Sequence, residues 1–172
     1  KRFLTSEEYV EKNKFEFEKL SEKISICVSR EHGFGTDAFL LANFSEYKLN
    51  DTACDLGTGC GIIPLIMQRE KPPKITYALD IQPLAIEQLR ISLDKNKIDS
   101  IIPICADLKV LWDGAPLGQF SLVTCNPPYK AAKAGIESNL DAHKIARHEI
   151  LCNIDDCLLY TSPSPRDLST SR

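Results

Sequence analysis

Three glycines at alternate positions lie in the stretch DLGTGCG, residues 55–61. Gly57, Gly59 and Gly61 carry no side chains, so backbone amides there can approach a ligand closely. The spacing is GxGxG with Asp55 just ahead, whereas a dinucleotide site favours GxGxxG and a bound pyrophosphate. Because a carboxylate repels pyrophosphate, this turn favours a cofactor that has a cationic amino group and no phosphate. The alternative is a tight turn between a strand and a helix.

Two further acids follow at the predicted ends of the next two strands. Asp80 comes nineteen residues after Gly61 and ends the run ITYALD. There its carboxylate can accept hydrogen bonds from both hydroxyls of a ribose. Asp107 lies in CADL, where an acid can accept from an adenine amino group. Each acid has a simpler interpretation: Asp80 as a helix cap ahead of Pro83, and Asp107 as an ordinary turn residue.

An amide, two prolines and a phenol end another apolar run, in FSLVTCNPPY at residues 120–129. Adjacent prolines cannot donate to a sheet ladder, so Pro127 and Pro128 end the strand that precedes them. Asn126 and Tyr129 therefore come at the end of that strand. The alternative is that this motif only terminates the strand.

The residues between these motifs predict the elements that position them. From residue 51 to 129, strand-like and helix-like stretches alternate, which is typical of a parallel sheet covered by helices. The predicted strands are 51–56, 75–80, 101–108 and 120–125, and the predicted helices are 61–70 and 83–96. Pro103 indicates that the third strand lies at an edge or starts late. Upstream, residues 24–45 predict a small strand pair, a turn and a helix from Asp37, and residues 1–23 a charged N-terminal helix.

Composition limits the classes of function. The 172 residues, 43% of them hydrophobic, predict one domain with one core. A net charge of −3 argues against a general nucleic-acid coat, although it allows a local basic patch. No apolar run reaches the roughly 20 residues that span a bilayer, and the N-terminus does not have the order of a signal peptide. These features predict a cytoplasmic protein whose true start is missing.

Cysteine and histidine usage predicts free thiols and no metal site. The seven cysteines never form CxxC, and the three histidines are not at helical ligand spacing. Several of the cysteines lie inside apolar runs, where cysteine behaves as a small hydrophobic residue.

The order of these motifs along successive strands resembles that of class I S-adenosylmethionine-dependent methyltransferases over residues 55–129. NPPY marks the branch that methylates planar nitrogens. Three features are similar to the bacterial tRNA1(Val) adenine-N6 methyltransferase family: GFGTDAFLLANF at 33–44, NPPY, and IARHE at 145–149. By itself, IARHE would be a helix with a salt-bridging surface. The resemblance covers roughly residues 24–156. It implies a Rossmann-like α/β fold, a parallel sheet with helices on both faces and strand order 3-2-1-4, truncated at the C-terminus.

The resemblance also implies a role for each site residue. S-adenosyl-L-methionine would be bound by Gly35, Thr36, Asp37, Asp55, Gly57, Gly59, Gly61, Asp80, Asp107 and Asn126. Asn126 Oδ1 and the Pro127 carbonyl would accept the two hydrogens of an adenine amino group, Pro128 would hold that carbonyl rigid, and Tyr129 would stack on the base. An adenine in tRNA must be unstacked or flipped to reach them.

The implied activity is methyl transfer to the N6 amino group of an adenine in tRNA, by a cytoplasmic enzyme that is monomeric when full length and needs neither membrane nor metal. Two alternatives stay open. One is N5-methylation of a glutamine in a protein such as a release factor, which uses the same NPPY chemistry. The other is a non-catalytic RNA-binding or nucleotide-binding module.

The Ser/Pro-rich ending CLLYTSPSPRD, residues 157–167, matches the conceptual translation of a transposase-based sequencing adapter residue for residue. We therefore expect the natural sequence to stop near Asp156. The methyltransferase domain at 24–156 would then be incomplete and inactive as written, and residues 157–172 would form a non-native, disordered tail.

Overall fold

A computed structural model of the chain describes residues 15–29, 33–109, 119–126 and Tyr160. The elements in this part of the chain are β1 Glu16–Lys19, β2 Ser25–Val28, α1 Thr36–Phe44, β3 Thr52–Leu56, α2 Ile62–Glu70, β4 Ile75–Asp80, α3 Pro83–Asn96, β5 Ile101–Cys105 and β6 Leu122–Cys125.

Four parallel strands form the central sheet, in the order β5-β4-β3-β6. This is the predicted order 3-2-1-4, which is therefore confirmed. β5 lies at one edge of the described sheet and contains Pro103, opposite Ala78 of β4. An edge strand tolerates proline because its outward N–H has no partner to lose.

Side chains alternate along each strand and so divide the core between the two faces of the sheet. On one face, Ala78 and Ile101 cluster with buried side chains of β2, α1, α2 and α3. On the other face, Cys54, Leu56 and Leu79 form a second cluster. The three described helices therefore cover the same face.

The described part of the adapter-like tail is Tyr160. Its ring is fully buried in the second cluster, and its hydroxyl donates to the Leu108 carbonyl at 3.0 Å. At this residue the structure differs from the disorder that we expected, because the apolar face of the sheet accommodates a large aromatic ring. The other residues of 157–172 lie outside the described part of the chain.

The predicted N-terminal helix is wrong where the structure describes it. Glu16–Lys19 is a strand that pairs antiparallel with Ser25–Val28. Phe15 and Phe17 alternate with charged residues at period two, which is the strand pattern and not the helical one. Phe15 packs with Cys27 and Ile91 in a separate small cluster. Ile26 and Val28 of β2 pack in the same cluster as Ala78 of the sheet, so the hairpin contributes to the core of the sheet, and the predicted boundary at residues 23 and 24 falls inside the hairpin. Residues 1–14 lie outside the described part.

Side chains of α3 bind the backbone of β2. Gln88, Ser92 and Asn96 are four residues apart and share one face of α3. Gln88 Nε2 donates to the Cys27 carbonyl at 3.3 Å, and Ser92 Oγ accepts from Cys27 N at 2.8 Å. Asn96 accepts from Ser25 N at 2.9 Å and donates to the Ser25 carbonyl at 2.6 Å. We call these contacts the helix–hairpin network; they bond the β2 backbone as a neighbouring strand would.

The described cysteines are free thiols. Cys27 and Cys60 are buried, and burial raises the pKa of each thiol to about 12, so both are unreactive near neutral pH. The described residues contain no cluster of three or more metal-ligating side chains. Within the same residues, no helix combines the length and the apolar character that crossing a bilayer requires.

Candidate functional site

The carboxyl ends of β4, β3 and β6 meet at one edge of the sheet. Leu79, Leu56 and Cys125 are the last residues at which these three strands align with one another. The next residues along the chain are Asp80, which still pairs with Cys105 of β5, Gly57 and Asn126. Strand spacing of about 4.8 Å separates the Asp80 and Asn126 backbones by roughly 10 Å, with Gly57 between them. We call these three residues the edge row. A glycine flanked by an acid and an amide leaves room for a ligand at the edge where open α/β sheets bind one.

The glycine turn between β3 and α2 folds over the end of β4. Thr58 N donates to the Leu79 carbonyl, and Gly59 N donates to Asp80 Oδ2, both at 2.8 Å. Gly57 and Gly59 have φ values of 70° and 56°, in the left-handed region that favours glycine. A Cβ at either position would meet open space. The turn therefore leaves open space beside the backbone at Gly57 and Gly59.

Gly61 has a different reason to be glycine. Its φ is 85°, and it precedes the first residue of α2. A Cβ there would overlap the side chain of Leu89 on α3. Gly61 therefore allows α3 to pack closely against the turn, and its role in cofactor binding stays a prediction.

Asp80 is buried and bonded on both carboxylate oxygens. Oδ2 accepts from Gly59 N at 2.8 Å, and Oδ1 accepts from Gln82 N at 2.9 Å, just before α3 begins at Pro83. The interpretation of Asp80 as a helix cap is not borne out, because Gln82 is the N-cap residue of α3 and no side chain caps this helix. Asp80 instead makes a contact that closes the turn before the helix. It does not conflict with a ligand role, because a carboxylate has about four acceptor sites.

Asp55 lies beneath the edge row and is 1% exposed. Its Oδ1 accepts from Thr124 Oγ1 at 2.6 Å, whereas Oδ2 and the nearby Thr58 Oγ1 are buried without a hydrogen-bond partner among the described residues. The pKa of Asp55 is raised to about 6, mainly by burial and to a smaller extent by the charge of Asp80. The Thr124 and Thr58 hydroxyls oppose this rise, although Thr58 forms no hydrogen bond of ordinary geometry.

These features fit a cofactor with a cationic amino group. A buried carboxylate oxygen without a partner is costly unless something occupies the site, and a cation beside Oδ2 would favour its charged form. Open space at the Cβ positions of Gly57 and Gly59 leaves room for a ligand beside the turn.

The other predicted site residues lie in several places. Gly35, Thr36 and Asp37 are exposed at the start of α1, and Gly35 is the N-cap residue. Their bordering of the cofactor pocket stays a prediction. Asp107 is partly exposed after β5, and its Oδ1 accepts from Lys109 N at 3.0 Å. This is the turn contact that its simpler interpretation expects.

Part of the predicted site falls outside the described residues. This applies to Pro127, Pro128 and Tyr129, and also to IARHE at 145–149. Asn126 is therefore the described residue of NPPY, and it is partly buried.

Sequence reasoning missed Thr58 and Thr124. Thr58 lies between two of the glycines, and Thr124 is the one hydroxyl residue within β6. The available signal was the alternation of β6, which directs Thr124 to the face opposite that of its neighbours Val123 and Cys125. Only the register of β6 on β3 shows that Thr124 lies directly opposite Asp55.

A family model of the methyltransferase small domain matches residues 28–148, which is more than half of the chain. This match supports the predicted cofactor, S-adenosyl-L-methionine. Among curated proteins, the chain is 26% identical over 140 residues to the tRNA1(Val) (adenine(37)-N6)-methyltransferase of Histophilus somni. The matched region covers 81% of this chain and 57% of that relative. It is 30% identical over 107 residues to ribosomal RNA small subunit methyltransferase C of Yersinia enterocolitica, over 60% of this chain and 27% of that protein.

Among solved structures, the chain is similar to the M. jannaschii tRNA m1G37 methyltransferase, with a TM-score of 0.56 and 22% identity. The match covers 86% of this chain and 38% of that one. At this identity the likeness establishes the fold. The chain spans about half the length of the adenine-N6 relatives that it matches.

Proposed function

The chain belongs to the methyltransferase small domain family, and from this premise we propose that it transfers a methyl group from S-adenosyl-L-methionine to the N6 amino group of an adenine in tRNA. The observation that supports this proposal most directly is the edge row, in which Asp80 and Asn126 flank Gly57 across three parallel strands. In this arrangement Asp80 would accept hydrogen bonds from the ribose of the cofactor, and Asn126 would accept one from the amino group of the substrate.

The residues around the glycine turn would hold the cofactor, which supplies an electrophilic methyl group on a sulfonium. Asp80 would accept from the ribose hydroxyls, since a buried carboxylate forms strong, charge-assisted hydrogen bonds. Asp55 Oδ2 would accept from the ammonium end of the cofactor. The backbone at Gly57 and Gly59 would lie close against the ligand.

Asn126 would act on the amine of the substrate. An exocyclic amino group on adenine is a weak nucleophile because its lone pair is delocalised into the ring. An amide oxygen fixed at the end of a strand can accept one of its hydrogens and draw the nitrogen out of that conjugation. Because an amide has no useful pKa, Asn126 orients the amine and does not remove its proton, which leaves to solvent after transfer.

The proposal of tRNA as the substrate rests on the names of two relatives, and the name of another relative supports a second candidate substrate. The Histophilus somni and Pedobacter heparinus relatives are both named as tRNA1(Val) adenine-N6 methyltransferases, at 26% and 28% identity. The Yersinia enterocolitica relative is named as a ribosomal RNA methyltransferase. Methylation of ribosomal RNA is therefore the second candidate, and glutamine methylation of a protein is the third.

A panel of substrates separates these candidates. Labelled S-adenosyl-L-methionine is offered with unmodified tRNA, with naked small-subunit ribosomal RNA and with a release factor, and the labelled product is identified by nucleoside or peptide analysis. We expect N6-methyladenosine in tRNA. Label found in ribosomal RNA or in a glutamine, with none in tRNA, would overturn the tRNA assignment.

The same assay tests Asn126. In a form of the protein long enough to include the region found in the curated relatives, we expect Asn126→Ala to lower kcat by about 10²- to 10³-fold and to leave binding of S-adenosylhomocysteine nearly unchanged. Asn43→Ala, on the exposed surface of α1, is the matched control and should retain full activity. Loss of folding together with cofactor binding in Asn126→Ala would instead favour the interpretation of NPPY as a strand terminator.

The assay should use two forms of the protein. We expect little turnover from the 172-residue chain, because β6 ends the described sheet and Asn126 depends on its alignment. A longer form that includes the region found in the curated relatives should turn over. Equal turnover by both forms would contradict this expectation.

A further inference from the structure

β6 is attached to the described sheet along one side only. It pairs with β3 through four residues, Leu122 to Cys125, and no other described strand lies beside it. The next residue is Asn126, which the proposed function uses at the substrate amine. Any additional contact that fixes β6 on β3 therefore bears on the placement of Asn126.

Thr124 supplies such a contact. It is 3% exposed, lies directly opposite Asp55, and is two residues before Asn126. Its hydroxyl lies 2.6 Å from Asp55 Oδ1 and 3.5 Å from the Cys54 carbonyl. A hydroxyl has one proton to donate, and the shorter contact to a carboxylate is the stronger one.

We propose that Thr124 is a positioning residue whose hydroxyl links the charged form of Asp55 to the alignment of Asn126 at the end of β6. This inference rests on the proposed function, because it takes Asp55 to bind the cofactor and Asn126 to bind the amine. According to this inference, the hydrogen bond from Thr124 on β6 to Asp55 becomes stronger when the cofactor binds.

The link follows from the surroundings of Asp55. Thr58 from the glycine turn and Thr124 from β6 are its uncharged neighbours, and Asp80 on β4 is the charged group that acts on it. Burial and Asp80 both favour the protonated carboxyl, which is a weaker acceptor for the Thr124 hydroxyl. A cationic group beside Oδ2 favours the ionised carboxyl and thereby strengthens the bond from Thr124. Cofactor binding would thus fix β6 on β3 where Asn126 follows.

Two substitutions separate the hydroxyl from the shape of the side chain. Thr124→Val keeps the β-branched shape and removes the donor, whereas Thr124→Ser keeps the donor and loses a methyl group. The Asp55 carboxyl is titrated by carbon NMR in the cofactor-free protein, and S-adenosylhomocysteine affinity is measured by calorimetry from pH 5 to pH 8. Neither measurement needs turnover.

In the unsubstituted protein we expect Asp55 to titrate near pH 6, with cofactor affinity decreasing as the pH falls through that value. Loss of a hydrogen bond to the charged form should move both midpoints upward by about one unit in Thr124→Val. Thr124→Ser should behave as the unsubstituted protein does. At pH 8, where the carboxyl is ionised in all three proteins, we expect Thr124→Val in the longer form of the protein to lower kcat about tenfold with a smaller change in the KM for cofactor.

The inference is overturned if Thr124→Val leaves the Asp55 titration unchanged, or if Thr124→Ser shifts it equally, since the role of Thr124 would then be packing. Asp55→Asn gives an independent check should Thr124→Val fold poorly: it should remove the midpoint near pH 6 from the affinity profile, and a midpoint that persists contradicts the link. An unsubstituted protein that binds no S-adenosylhomocysteine, yet shows the Thr124-dependent titration, would refute the proposed function and leave the hydrogen-bond link intact.

Discussion

The helix–hairpin network and the glycine turn both contain buried polar side chains, but they use them in different ways. In the first, Ser92 and Asn96 bond the backbone of β2 at distances between 2.6 and 2.9 Å. In the second, Asp55 Oδ2 and Thr58 Oγ1 have no partner among the described residues. Bonded side chains hold two parts of the chain together, whereas a buried oxygen without a partner destabilises the fold and is retained where a ligand needs it.

The difference is also one of charge. The helix–hairpin network is built from amides and a hydroxyl, which pair without a net charge. Next to the glycine turn, Asp55 on β3 and Asp80 at the end of β4 lie close enough for the charge of Asp80 to raise the pKa of Asp55. Neutral groups are suited to holding the hairpin at any pH, whereas paired acids are suited to receiving a cation. Substitutions in the helix–hairpin network should therefore lower stability and leave cofactor binding unchanged. Substitutions of the two acids should weaken cofactor binding, and replacing Asp55 should also raise stability.

The largest effect should come from Asp80→Ala. Removing this carboxylate takes a charged acceptor from two ribose hydroxyls, each such bond contributing about 1.5–3 kcal/mol. We expect affinity for S-adenosyl-L-methionine to fall at least tenfold, measured by calorimetry on protein whose folded fraction is checked by circular dichroism.

Asp99→Ala is the matched control. Asp99 is an exposed acid that precedes β5, at the amino ends of the strands and therefore away from the edge row. It should leave affinity unchanged. Unchanged affinity in Asp80→Ala would remove Asp80 from the cofactor site and leave it as a cap for the turn at Gln82.

The next effect concerns stability and pH at Asp55. Its pKa is about 6 in the folded protein against 3.8 for the free side chain, so the folded state binds the proton more tightly. Stability from this group is therefore full below about pH 4, decreases as the pH rises to about 6, and stays low above that. The loss is about 2–3 kcal/mol, since one pKa unit corresponds to roughly 1.4 kcal/mol.

Asp55→Asn should remove most of this loss. At pH 7.5 we expect the variant to be more stable than the unsubstituted protein in urea unfolding and to bind cofactor more weakly, with the difference in stability vanishing near pH 4. Asp99→Asn, on the surface, should show neither change. A variant that is less stable than the unsubstituted protein at pH 7.5 would show that the ionised carboxyl is compensated by contacts that burial does not reveal.

Much of the sheet and its edge was predictable because the signals are local. The glycine turn, Pro83 at the start of α3, and the prolines after Asn126 each mark the start or the end of one element within a few residues. Parallel strands then bring their carboxyl ends to one edge, so the sequence order alone predicted that Asp55, Asp80 and Asn126 would lie near one another.

The contacts that link distant segments were not predictable in this way. The bond from Cys27 N to Ser92 Oγ joins residues 65 positions apart, and the pair of Asp55 and Thr124 is 69 apart. Neither has a local pattern, because each depends on how one element lies against another. β1 was missed although its residues alternate at period two, because the strand has only four residues and follows a stretch rich in charged residues.

The smallest effect should come from Asn96→Ala, which tests the other side of the comparison. This side chain accepts from Ser25 N and donates to the Ser25 and Ser92 carbonyls. Its loss leaves backbone groups of β2 without a protein partner, but they are only partly buried, so water can replace some of the bonds. We expect the free energy of unfolding to fall by about 1–2 kcal/mol in urea titrations. Affinity for S-adenosylhomocysteine, measured where the variant is fully folded, should stay the same.

Asn43→Ala, exposed on α1, is the control and should change stability by less than about 0.5 kcal/mol. If Asn96→Ala weakens cofactor binding several-fold with no loss of stability, α3 transmits the position of the hairpin to Asp80, and the two regions are then parts of one site.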